Sequence, residues 1–195
     1  MFRRFLLGTR DEYFSPEEVA AFNVSASDYY LARGDLVRAI RHMLLARRME
    51  DAVRLLCQNG KKMLDSELGE HLKMFLEELP GPVVDGNPYL LFYYGFTIVS
   101  SEFDRSCLYL HNAARLFELT GNTDMQVQVL GVLFTAFAQR NDVARIRALV
   151  AECERLDEMI SRDDVRGTLL AVRLGRAAFD EDFQEGLALG KELRK

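Results

Sequence analysis

Apolar residues along this chain recur at the three- and four-residue intervals of an α-helix, in stretches of several turns separated by short polar connectors. At five of those connectors an Asp ends one stretch and opens the next: Asp35, Asp65, Asp104, Asp142 and Asp182, spaced 30, 39, 38 and 40 residues apart. A carboxylate suits that junction. It can accept the orphan backbone N–H groups of the helix that follows and complement its dipole, for about 1 kcal/mol per cap. The recurrence therefore predicts pairs of helices that bury their apolar faces only by stacking on one another.

Spacing near 38 residues, irregular and longer than the common 33- or 34-residue repeats, predicts an all-α chain. The expected architecture is a tetratricopeptide-like (TPR-like) α-solenoid of about five antiparallel hairpins in a right-handed superhelix. Ser15-Pro16-Glu17-Glu18 opens the first hairpin as a capping box with Pro at the first helical position. Its first helix runs to Arg33, with Gly34 as a left-handed stop. The partner covers 35–46. The second hairpin spans 50–64 and 66–79, and Pro80-Gly81-Pro82 with Gly86 ends it. Asn87-Pro88 starts a third, over 88–101 and 104–120; the fourth covers 124–140 and 142–160, the fifth 163–179 and 182–193.

Counting from each Asp, the fourth position holds Ala39, Leu108, Ile146 and Gly186, and the seventh holds His42, His111, Leu149 and Leu189. Two histidines thus share a repeat position with leucines, which makes them packing residues at hairpin contacts and not metal ligands. Cys57, Cys107 and Cys153 lie 50 and 46 residues apart with no CxxC pair, a pattern of buried thiols and not of a disulfide framework or a zinc site.

Composition refines this only modestly. With 195 residues, 49% of them hydrophobic and none of them Trp, the chain can bury a sizeable core. No apolar run is long enough to span a membrane, and Phe2 to Leu7 is too short for a signal-peptide core, so the expected location is cytoplasmic. The net charge of -5 is unevenly shared: residues 1–62 carry 11 Lys/Arg against 8 Asp/Glu, and residues 63–195 carry 14 against 22. That balance argues against a general nucleic-acid surface. The basic set Arg38, Arg41, Arg47, Arg48 and Arg54 reads as a solvated face or as a contact for an acidic partner.

An ordered series of motifs also marks the chain. Phe2-Arg3-Arg4-Phe5-Leu6 is followed by Tyr29-Tyr30-Leu31-Ala32-Arg33-Gly34-Asp35, then by Arg38-Ala39-Ile40-Arg41-His42 and Leu45-Ala46. Leu68, Leu72, Phe75-Leu76, Leu79-Pro80, Pro88, Leu90, Gly95 and Ala113-Ala114 continue it. In order and spacing this series resembles the MalT-like, large ATP-binding branch of the LuxR-type transcriptional regulators. The resemblance covers about residues 2–120, and 121–195 only as generic helical repeats. It implies that residues 1–10 are the tail of a preceding winged-helix-like unit and that 11–195 form a single TPR-like repeat domain with a break at 80–88. It implies as well that the parent protein carries flanking ATPase and DNA-binding domains, with this region receiving the signal from an effector or a protein partner. The alternative is a stand-alone TPR-like adaptor.

Neither flanking activity is expected from this stretch itself. The nearest string to a phosphate loop, Gln58-Asn59-Gly60-Lys61-Lys62, lacks the first glycine and the final hydroxyl. No nucleophile-base or metal-ligand spacing stands out, so no enzyme activity, no cofactor, no direct nucleic-acid contact and no membrane contact are expected. One binding site is. With Gly95 at the small-residue position of a TPR-type first helix, Tyr89, Phe92, Phe96 and Ser100 point into the concave groove, and a shift of one repeat adds Val127, Leu130, Phe134 and Phe137. Rigid rings offer contact area to a small effector or an extended peptide at low entropic cost.

Overall fold

The computed structural model describes residues 14–192, and every α-helix or strand among them is a helix. The expected tail at 1–10, residues 11–13 and the expected helix end at Leu193 lie outside the described residues. The backbone forms two compact units, Met1–Glu78 and Leu79–Lys195.

In the first unit, α1 (Pro16–Ala32) starts at the expected capping box. The Ser15 hydroxyl accepts from the Glu18 N–H at 3.2 Å, and the Glu18 carboxylate accepts from the Ser15 N–H at 2.8 Å. Next come α2 (Leu36–Leu45), α3 (Met49–Leu64) and α4 (Gly69–Glu78). Each packs on its predecessor, and α2 also touches α4. Ala39, Ile40, Met43, Leu56, Met63, Leu72 and Phe75 form the core of this unit.

The second unit contains α5 (Gly81–Asp85), α6 (Pro88–Ile98), α7 (Phe103–Leu119), α8 (Thr123–Ala138), α9 (Val143–Leu156), α10 (Asp163–Phe179) and α11 (Phe183–Glu192). A 3₁₀ turn at Asp157–Met159 follows α9, so the helix expected to reach residue 160 ends four residues early. The element α5 was not expected. Pro82 stands in its first turn, where a missing N–H costs nothing, so the Pro-Gly-Pro string starts a short helix while stopping α4. Within this unit each helix packs on the next, and α8 also packs on α10.

One turn recurs at five junctions. Gly34, Arg47, Gly121, Asn141 and Glu181 take left-handed backbone angles, with φ of 74°, 58°, 68°, 55° and 55°. In every case the next residue donates its N–H back into the finished helix: Asp35 to Tyr30 O, Arg48 to Met43 O, Asn122 to Phe117 O, Asp142 to Phe137 O and Asp182 to Ala177 O, at 2.9–3.1 Å. That same residue caps the helix ahead. Asp35, Asn122, Asp142 and Asp182 accept from the backbone N–H of Arg38, Met125, Arg145 and Glu185, whereas Arg48 makes no side-chain cap.

Two of the five expected Asp junctions are corrected. Asp65 is the C-terminal cap of α3. Asp104 lies inside the first turn of α7 behind Glu102, the residue at the cap position. The two-residue shift explains why Leu108, expected to face its partner helix, is 58% exposed while Ser106 and Leu110 are buried. The histidines do lie in ring contacts: His42 stacks on Tyr30 at 5.5 Å, and His111 lies 6.3 Å from the Phe137 ring. Among the described residues, no helix is long and apolar enough to cross a membrane.

The turn's backbone geometry predicts opposite effects at two of its positions. Gly34→Ala should lower stability by about 1 kcal/mol, because a side chain is strained at positive φ. Arg47→Gly should relieve such strain and raise the urea midpoint. Equal midpoints for both variants and the parent would show that the left-handed residue does not limit the turn.

Candidate functional site

The residues of the expected groove begin on α6, whose sequence PYLLFYYGFTI carries no charged side chain. Asn87 fixes its start by accepting from the Tyr89 and Leu90 N–H groups at 3.0 and 3.2 Å. The crossing of α6 with α7 is close because position 95 is glycine. A Cβ there would meet Leu110 Cγ at 2.8 Å and Ser106 O at 3.2 Å, and the buried Ser106 hydroxyl donates to Gly95 O at 2.7 Å. This seam rotates the other face of α6 outward. Phe96 is 40% exposed on that face, with Ser100 exposed one turn on.

The other expected groove residues sit deeper. Phe92 is buried, with its ring 6.5 Å from Phe96 and 5.4 Å from Tyr93. Tyr89 is half-buried; its ring meets Phe117 edge-on at 5.0 Å, and its hydroxyl accepts from Asn122 Nδ2 at 3.2 Å. Phe134 is buried against α10, where a Cβ added to Gly175 would come within 2.4 Å of Phe134 Cζ. Phe137 is 1% exposed, 6.1 Å from the Phe103 ring, with the Arg145 guanidinium 5.1 Å above its face. Val127 and Leu130 are also fully buried. Phe137, Val127 and Leu130 are therefore core residues and not groove lining, because α8 is covered by α7, α9 and α10. What remains accessible is the Phe96–Ser100 strip with the edge of Tyr89, a surface of rings and hydroxyls suited to contact and not to proton or group transfer.

Two features escaped the sequence reading. One is the pair of glycines that let α8 and α10 approach: a Cβ at Gly131 would lie 2.5 Å from Thr168 Cγ2, complementing Gly175 against Phe134. A glycine in a helix interior signals either such an approach or mere tolerance, and only the packing decides. The other is the tether of the α9–α10 connector to α8. Asp124 accepts from the Ser161 N–H at 3.0 Å and from the Ser161 hydroxyl. Those bonds, the hydroxyl's first, hold the Asp124 carboxyl below the usual carboxylate range. Burial pushes the Cys153 thiol up to about 12 and raises Cys107 as well, which favours the protonated thiol at both positions. Desolvation lowers the pKa of His111.

Comparison with known proteins gives no family model, no curated protein and no solved structure that matches the chain.

Two outcomes follow. Gly175→Ala should destabilise the second unit by about 1–3 kcal/mol through overpacking. Phe134→Leu in the same chain should recover part of that loss, measured as a non-additive double-mutant cycle; strict additivity would mean that the two positions do not press on each other. The Asp124 tether contributes stability above the ordinary carboxylate range and loses it as pH falls through the depressed folded-state value. The advantage of the parent over Asp124→Asn in urea melts should therefore be constant near neutrality and shrink below about pH 4. A gap that persists at lower pH would rule out the charged tether.

Proposed function

We propose that this chain is a TPR-like helical-repeat region whose function is binding, and that it receives the signal in a regulator of the MalT-like, LuxR-type class. The observation that carries the reading is the repeated two-residue turn, in which a single residue closes one helix and starts the next. Contacts between alternate helices, α2 with α4 and α8 with α10, support it, since stacked hairpins bury their faces in this way. The resemblance of residues 2–120 to the MalT-like regulators supplies the class. The Phe96–Ser100 strip is where an effector or partner docks, and differential contact there in two states would bias a neighbouring switch.

The test has a negative and a positive arm. Titrated with ATP and with duplex DNA, the chain should show no turnover and no saturable binding. Screened by thermal shift against panels of small metabolites and short peptides, it should respond to a specific ligand. Phe96→Ala should abolish that response while circular dichroism shows the helices intact. ATP turnover, or a ligand response that Phe96→Ala leaves unchanged, would overturn the proposal.

A further inference from the structure

A candidate contact surface lies on the first helix, apart from the Phe96 strip and independent of that reading. Of the 17 residues of α1 only Ser27 is buried, so the helix rests on its unit along one side and leaves the other uncovered. At about 100° per residue, the side opposite Ser27 carries Glu18, Phe22, Ser25 and Tyr29, continued by Arg33 at the C-terminal cap. All five are exposed.

Two large rings thus stand on the outermost line of the helix, Phe22 at 58% exposure and Tyr29 at 52%. Phe22 meets Phe14 edge-on at 5.4 Å, and Phe14 is itself 43% exposed. The Arg33 guanidinium lies 4.4 Å above the Tyr29 ring. Stacking occupies the face of the guanidinium and leaves its in-plane N–H groups for an acceptor.

The order of these residues names the occupant. Glu18 with Arg33, and Phe22 with Tyr29, are each centred on the peptide bond between Ser25 and Ala26. A stripe that reads acid, ring, small residue, ring, base is complementary to itself when reversed. Two copies of α1 laid antiparallel bring Glu18 to the partner's Arg33 and Phe22 to the partner's Tyr29, twice over, with the small Ser25 and Ala26 where the backbones come closest. A two-fold interface requires this property, since one patch must fit its own copy. No like charges meet: Asp28, also exposed, falls opposite the partner's Asn23. A parallel pairing would instead set Glu18 against the partner's Glu18.

We propose that a second copy of this chain docks antiparallel on the outer face of α1, forming a two-fold dimer through Glu18, Phe22, Tyr29 and Arg33. One helix face per copy buries less than the roughly 800 Å² per partner of a standard interface, so the dimer is weak.

Sedimentation equilibrium on the parent chain from about 10 μM to about 1 mM tests this, and a monomer–dimer equilibrium should appear within that range. Phe22→Ser and Arg33→Glu, both at exposed positions, should each raise the dissociation constant at least about tenfold without changing the circular dichroism spectrum. Mild oxidation tests the register. Ser25→Cys, beside its own copy at the two-fold axis, should give a disulfide-linked dimer above the parent's background, whereas Ala32→Cys, about 20 Å from its copy, should not. A parent that stays monomeric up to about 1 mM, folded variants that associate as the parent does, or Ala32→Cys linking as readily as Ser25→Cys would each overturn the proposal.

Discussion

The two-residue junction between helices is the constraint on which the rest depends. A helix leaves its last carbonyls and its first N–H groups without partners, and a chain of short antiparallel helices meets that cost at every turn. Here one left-handed residue reverses the backbone, and the residue after it serves both helices. Its N–H fills a carbonyl of the helix behind, and in four of five cases its side chain fills an N–H of the helix ahead. Because so few residues are spent, consecutive helices must lie side by side. In three of the helices the buried positions then fall at the same offsets from the cap. Four, five and eight residues after the cap stand Ala39, Ile40 and Met43 in α2, Ser106, Cys107 and Leu110 in α7, and Gln126, Val127 and Leu130 in α8, all buried.

This also explains which parts of the structure were legible beforehand. Asp35, Asp142 and Asp182 announce their junctions because Asp is among the few residues able to cap. Asn122 does the same work at a junction that no Asp marks, because Asn caps as Asp does but breaks a pattern built on one residue type. The junction at Arg47-Arg48 carries no capping signal at all; the backbone bonds alone hold it, and α3 receives its polar support through the Arg48 bridge to Ser27 and Asp28. Helix identity survives such errors because apolar periodicity runs over many residues, whereas register depends on one or two.

The aromatic residues were harder to place, for a physical reason. On α6 nearly every position is apolar, and on α8 most are, so periodicity says little about which side faces solvent. The glycines decide it. Gly95 brings Ser106 and Leu110 against α6, while Gly131 and Gly175 bring α10 against α8, the latter over Phe134. The approach at Gly175 covers Phe134, contacts from α7 and α9 cover Phe137, and Phe96 stays open. Once seen, the pattern is simple, but it needs three-dimensional neighbours: the same glycine, alone in a sequence, is equally a weak point in a helix.

Charge is distributed differently in the two units. Around Phe96, α6 has no charged residue to contribute, so the surface it exposes there offers only shape and ring contact. In the first unit, the positive excess before residue 62 is mostly neutralised locally: Arg38 pairs with Asp35, and Arg48 with Asp28 and Asp51. Such pairs add little stability at a surface, yet they fix the guanidinium planes. Arg48, held by three acceptors, has little freedom left to lose. A junction made in this way is held by a side-chain bridge in place of a cap, so its geometry depends on the packing of α1 against α2 that sets Ser27 and Asp28 within reach of Arg48.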